Sequence, residues 1–198
     1  RRCAEHMTSL VEGLLDLTRV ESGILRVRSE IVRLPDFIEQ IMLMMRPAAQ
    51  AKGLEFLHQT SGRVPEFVRT DSSRLRQALI NLISNAIKFT DAGSVTFRMR
   101  YGGQIATFEI VDTGPGIAPE DHDRVFDPYE RASNAAADAR PGVGLGLPIT
   151  KAIVEMLGGK LELQSEPGKG SCFRVTLMLS EVASGHAPEA TTRRLAGY

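Results

Sequence analysis

Asn81-Leu82-Ile83-Ser84-Asn85-Ala86-Ile87-Lys88-Phe89-Thr90 is the segment around which the rest of this chain organises itself. It lies in a helical pattern predicted to run from about Asp71, a good N-cap, to Phe89. Asn81, Asn85 and Lys88 recur at i, i+4 and i+7, so they project from one face. Leu75, Leu79, Leu82 and Ala86 form a second stripe at core-facing spacing. Asn is a poor helix former, and two on one face cost about a few tenths of a kcal/mol each. Paired amide oxygens with an ammonium one turn on suit a hydrated Mg²⁺ and the phosphates attached to it. A solvated helix face fits the same spacing, since Arg74 and Gln77 continue the stripe. The segment by itself leaves both readings open.

At 198 residues the chain can hold one sizeable domain plus an extra element. Lys plus Arg equals Asp plus Glu, 24 against 24, so no global basic field recruits nucleic acid or anionic lipid. No apolar run is long enough to span a bilayer, and no signal-peptide pattern opens the chain. The expected location is cytoplasmic, with no membrane contact by this piece. It opens inside a helical pattern, Arg1-Arg2-Cys3-Ala4-Glu5, and is read as part of a longer protein that is itself compatible with an inner-membrane anchor. Cys3 and Cys172 make no metal or redox motif and read as reduced thiols.

Residues 1–24 read as a helix in which Cys3, Met7, Leu10, Leu14 and Leu17 trace a heptad seam that needs a partner helix. Residues 25–33 read as a connecting strand or linker, and a second helix is expected from Leu34-Pro35 to about Lys52, bent late at Pro47. Leu54 to Gln59 is expected as a short strand, and strands at about 94–101 and 104–112 are joined by the hairpin signal Gly102-Gly103. Residues 113–143 are loop-rich, with a short helix expected near 119–124. A helix is expected from about Leu147 to Gly158, then strands at about 160–165 and 172–179, and a tail or linker over 181–198. This order predicts an α+β fold: a two-layer sandwich of helices on a mixed, mainly antiparallel sheet, preceded by a long helix.

Three later segments join the Asn helix. Asp112-Thr113-Gly114-Pro115-Gly116-Ile117 follows a strand directly. A carboxylate there can accept from an exocyclic amine, and flanking glycines let backbone approach a flat ring; a glycine turn capped by Asp fits as well. Gly142-Val143-Gly144-Leu145-Gly146-Leu147 precedes a helix, where exposed N–H groups and the positive dipole end suit phosphate, though a plain flexible loop is the alternative. It is neither the dinucleotide fingerprint nor a P-loop, since Leu147 replaces the third glycine and no Gly-Lys-Ser/Thr follows. Between these lies Phe126-Asp127-Pro128-Tyr129-Glu130-Arg131, whose two aromatics are expected to fasten one end of a lid over 132–141.

Taken together, the segments resemble the catalytic ATP-binding domain of sensor histidine kinases, within the superfamily shared with DNA gyrase, the mismatch-repair MutL proteins and the large heat-shock chaperone. Asn81 to Thr90 is similar to the family's asparagine box, Asp112 to Gly116 to its first glycine box, Phe126 to Tyr129 to its phenylalanine box and Gly142 to Leu147 to its second glycine box. Gly168-Lys169-Gly170-Ser171-Cys172-Phe173 resembles the closing hairpin. The likeness covers about residues 34–180, and Leu14 to Gly23 is similar to the end of the family's second dimerisation and phosphotransfer helix.

The resemblance implies Mg·ATP as ligand. Asn85 is then the main Mg²⁺ ligand with Asn81 beside it, Lys88 meets phosphates, and Phe89 packs on the nucleotide. Asp112 accepts from adenine, Gly114 and Gly116 shape that pocket, and Gly144, Leu145, Gly146 and Leu147 hold the phosphate chain, with Arg131 a lid contact. Hydrolytic relatives place a water-activating glutamate where this chain has Asn81, which cannot act as a base at neutral pH. No catalytic residue in the strict sense is therefore assigned. The implied acceptor is a histidine on a missing bundle helix, and none of His6, His58, His122 or His186 fits that role. Implied partners are a second copy through the helical bundle and a response regulator or receiver domain; Arg193 to Tyr198 reads as the approach to such a domain. A degenerate module that signals by protein contacts without catalysis is the competing reading.

Overall fold

Over residues 94–112 and 160–178 the chain alternates apolar and polar residues, and this alternation folds into a sheet with one dry face and one wet face. The computed structural model describes residues 27–130 and 144–183. In chain order its elements are β1 (Glu30–Arg33), α1 (Leu34–Ala51), β2 (Glu55–Ser61), β3 (Phe67–Thr70), α2 (Ser72–Phe89), β4 (Ser94–Gly102) and β5 (Ile105–Asp112). Two short 3-10 turns (Pro119–Asp121 and Arg124–Phe126) lead to α3 (Gly146–Met156), β6 (Lys160–Glu166), β7 (Gly170–Met178) and β8 (Ser180–Glu181). The main sheet has the order β2-β4-β5-β7-β6, with β2 parallel to β4 and every other pair antiparallel. The expected α+β sandwich of helices on a mixed, mainly antiparallel sheet is what forms.

The inner face presents Phe97, Phe108, Ile110 and Val175, all fully buried, to Leu75, Leu79, Leu82 and Ile83 of α2 and Ile153 of α3. Each such side chain contributes about 1.5–3 kcal/mol by leaving water. The apolar stripe read along α2 is thus the core face of that helix. Across the outer face, one register row runs Gln59, Arg98, Glu109, Arg174 and Glu162. Arg98 Nε donates to Gln59 Oε1 at 3.1 Å, and Arg174 Nε donates to Glu109 Oε1 at 2.8 Å. These polar pairs satisfy one another on a face that no helix covers among the described residues.

Several local expectations change. The β4–β5 turn is Gly103-Gln104, one residue later than the glycine pair suggested: Gly102 pairs with Ile105, and both turn residues have positive φ, 59° and 64°. That is the hairpin geometry whose twist matches the strands. Leu179 N–H helps hold Gln104 there by donating to its carbonyl at 2.8 Å. The 119–124 helix is instead the two 3-10 turns. Sequence reading passed over β3, and it placed Glu181, the second residue of β8, in the tail. With β1 these form a three-stranded antiparallel sheet of order β1-β3-β8. The α1 helix continues through Pro47 to Ala51. The heptad seam of residues 1–24, Arg131, the expected lid at 132–141 and the tail beyond residue 183 lie outside the described residues.

Asp71 fixes where α2 begins. Its Oδ1 accepts from Arg74 N–H at 3.0 Å, and its Oδ2 accepts from Arg28 N–H at 2.9 Å. The carboxylate is 5% exposed, so water replaces these bonds poorly. Asp71→Ala is expected to lower the unfolding free energy by about 1–2 kcal/mol in urea titration; an unshifted midpoint would contradict the cap.

Candidate functional site

The last turns of α2 and the first turn of α3 meet through Asn81. Its Nδ2 donates to Gly146 O at 2.7 Å and to Thr150 Oγ1 at 2.6 Å. Thr150, 1% exposed, donates in turn to Gly146 O at 2.9 Å. A Cβ at Gly146 would sit 2.9 Å from Asn81 Oδ1, so glycine there lets the two helices approach. Asn81 is therefore anchored through its amide nitrogen, which leaves the amide oxygen as its available ligand. Asn85 is half-buried one turn on, and its side chain makes no hydrogen bond among the described residues. The Lys88 ammonium lies 4.9 Å from the centroid of the Phe89 ring, within cation–π range.

Asp112 ends β5 on the inner face of the sheet, 6% exposed. Its Oδ1 accepts from Gly114 N–H at 2.9 Å and from Ser171 N–H at 3.3 Å. Oδ2 makes no hydrogen bond among the described residues. No buried polar side-chain atom there lacks a partner, so this oxygen reaches solvent. Burial pushes the carboxyl above its ordinary range, while the two N–H donors pull the other way. Close backbone contacts surround it. A Cβ at Gly116 (φ +72°) would fall 2.0 Å from Glu166 O, and one at Gly170 would fall 1.9 Å from Asp112 O. Ser165 Oγ ties the floor together, accepting from Ile117 N–H at 2.8 Å and donating to Gly170 O at 2.9 Å. Phe89 O lies 3.2 Å from the place a Gly114 Cβ would take, so the Asp112 loop abuts the end of α2.

Gly144, with φ +74°, leads through buried Leu145 into α3, where Leu147 packs against the core. Gly144 O accepts from Tyr129 N–H at 3.1 Å. Of the two aromatics expected as anchors, Phe126 serves: it meets Phe173 edge-on at 6.5 Å, and Lys151 Nζ lies 5.6 Å above its ring. The Tyr129 side chain is 59% exposed, because its backbone rather than its ring makes the attachment. His58 Nε2 pairs with Thr60 Oγ1 at 3.0 Å, and His122 Nε2 with Ile117 O at 3.2 Å. A groove between α1 and β2, lined by Pro35, Met42, Leu43, His58 and Val64, contains none of these site residues.

The candidate site thus joins α2 to two neighbours: Asn81 meets the start of α3, and Phe89 abuts the loop that follows Asp112, with Asn85 and Lys88 between them along α2. A family model for the histidine kinase-, DNA gyrase B-, and HSP90-like ATPases matches residues 70–181, which hold all of these residues. The chain belongs to that ATPase family. Among its relatives, the autoinducer 2 sensor kinase/phosphatase LuxQ of Vibrio cholerae is 35% identical over 189 residues, 93% of this chain and 22% of that protein. The aerobic respiration control sensor protein ArcB of Escherichia coli is 34% identical over 177 residues, 88% of this chain and 23% of that protein. The chain therefore spans less than a quarter of either relative. Full-length ShkA, solved in complex with AMPPNP, superposes with a TM-score of 0.83 at 30% identity over 93% of this chain and 38% of that one. The mycobacterial sensor histidine kinase MprB superposes at 0.65 with 28% identity, over 77% of this chain and 100% of that one.

Within this ATPase fold, sequence reading missed Thr150 and Ser165. Thr150 carried a faint signal, four residues after Gly146 in a helix, where a hydroxyl reaches back to a carbonyl. Ser165 carried none, since its partners are distant in sequence.

Raised by burial, Asp112 is destabilising when ionised; that penalty is present at neutral pH and vanishes as pH falls through its elevated pKa. Asp112→Asn keeps an oxygen for both N–H donors and removes the charge. Its thermal midpoint at pH 7 is expected to equal or exceed that of the unchanged chain, with the gap closing in acid. A lower midpoint at pH 7 would contradict this account.

Proposed function

We propose that this chain is the ATP-binding catalytic part of a two-component sensor histidine kinase, binding Mg·ATP and delivering the γ-phosphoryl group to a histidine outside its sequence. In this reading residues 34–180 are the nucleotide-binding unit, residues 1–24 end a dimerisation and phosphotransfer helix, 25–33 connect the two, and 181–198 lead onward. A second copy pairs through the helical bundle, and the phosphoryl group passes to a response regulator or receiver domain. The relatives' names support a signalling kinase, and the likeness to ShkA in complex with AMPPNP supports an adenine nucleotide. Among the described residues no helix is long and apolar enough to cross a membrane. We place the domain on the cytoplasmic side of any anchor the full protein has.

Asn81 carries the kinase reading. An amide stands where the hydrolytic members place a carboxylate, and its NH2 is held by Gly146 O and Thr150 Oγ1. It has no basicity with which to activate water, so the γ-phosphoryl is kept for a protein acceptor. Phosphoryl transfer depends mainly on position and charge neutralisation, and the residues here supply both. Asp112 Oδ2 accepts from the adenine amine, Lys88 meets phosphate oxygens, and the N–H groups opening α3 hold the chain of phosphates.

The donor set fits magnesium. Among the described residues no group of three His, Cys, Asp or Glu can cage a metal. Mg²⁺ commonly keeps several waters and shares its remaining positions between few protein oxygens and substrate phosphates. The oxygens of Asn85 and Asn81 are the protein's share. The bound ion neutralises charge building on the phosphates.

Asn85→Ala is expected to weaken Mg·ATP binding at least about tenfold, a loss of roughly 1.4 kcal/mol, by titration calorimetry. No thermal stabilisation of the unchanged chain by saturating Mg·ATP would favour a scaffold role instead. Incubated alone with γ-labelled ATP, the chain is expected to retain no acid-labile phosphate; stable label on His6 would reject the external acceptor.

A further inference from the structure

The last carbonyls of any helix lack N–H partners within it, and those of α2 carry the site. Ala86 O is taken by Thr90, whose N–H and Oγ1 donate at 3.1 and 2.7 Å. The next carbonyls are met from another helix. Lys52 Nζ donates to Ile87 O at 2.8 Å, Lys88 O at 3.0 Å and Thr90 O at 2.6 Å. An ammonium has three donors, and all three point at one turn. Lys52 is also the C-cap of α1, its own N–H donating to Ala49 O at 3.1 Å. One positive charge therefore sits at the negative ends of two helix dipoles, with Asp91 Oδ1 at 3.9 Å as a looser neighbour.

The gripped turn holds Lys88 and Phe89 and directly follows Asn85. It also abuts the Asp112 loop, since Phe89 O and Thr90 Oγ1 lie 3.2 and 3.3 Å from where a Gly114 Cβ would sit. We infer that Lys52 is a positioning residue for nucleotide binding: from outside the cleft it sets the metal and phosphate side chains of α2 against the adenine acceptor. This inference rests on the kinase reading above. Arginine cannot take its place fully, because a planar fork matches carboxylates rather than three carbonyls wound around a helix end.

The test measures Mg·ATP affinity of the whole chain by calorimetry, at a temperature where circular dichroism shows every variant folded. Lys52→Met is expected to weaken binding about tenfold, and Lys52→Arg to recover part of that loss. Tyr101→Phe is the control for general destabilisation: it removes the buried hydrogen bond to Leu179 O at the opposite end of β4 from the site. Its affinity is expected to stay unchanged. NMR of the ligand-free chain gives a second measurement, in which Lys52→Met shifts the side-chain amide signal of Asn85 and Tyr101→Phe does not. Undiminished affinity in Lys52→Met, an equal loss in Tyr101→Phe, or an unmoved Asn85 signal would each overturn the inference. Failure of the unchanged chain to bind Mg·ATP would instead reject the kinase reading, and the role of Lys52 with it.

Discussion

Helix α2 must satisfy two solvents at once. Leu75, Leu79, Leu82 and Ile83 are sealed into the core, while Asn81, Asn85 and Lys88 sit on a neighbouring flank. The angle between those flanks is set by helical periodicity. Rotating α2 to improve its ligand face would drag leucines into water, at about 25 cal/mol for each Å² exposed. The core therefore aims the polar groups, and the rest of the fold holds the ends of this helix. Asp71 fixes one end and Lys52 the other.

Around that helix the glycines act as spacers more than as hinges. Gly116, Gly146 and Gly170 each bring backbone or an amide to a distance that a Cβ would forbid. Gly146 is the instructive case. Its position before a helix suggests phosphate, yet its contact with Asn81 is a packing demand present without any ligand. The packing demand alone accounts for glycine at this position, and it is compatible with a helix start that meets an anion.

Much of this was legible from periodicity. The stripes of α2, the strand alternation over 94–112 and 160–178, the cap at Asp71 and the breaks at Gly53 and Gly158 are local signals, and each produced its element. The small β1-β3-β8 sheet was not legible, because Phe67–Thr70 is four residues long and its partners lie far along the chain. Within the cleft, chemistry-bearing residues in glycine-rich or helical contexts were visible. Residues that work through geometry were not: Lys52 read as the end of one helix, with nothing in its neighbourhood to say that it closes another. The long reach of its side chain, 35 to 38 residues along the chain, leaves no periodic trace.

The Asn81 bridge has a mechanical consequence. With α2 and the first turn of α3 joined by two short hydrogen bonds and a glycine-close contact, those two walls move as one strut. A cleft with two of its walls locked together can widen only by displacing something else. Strain applied at the first turn of α3 is therefore felt along α2, in the turns that carry Asn81 and Asn85.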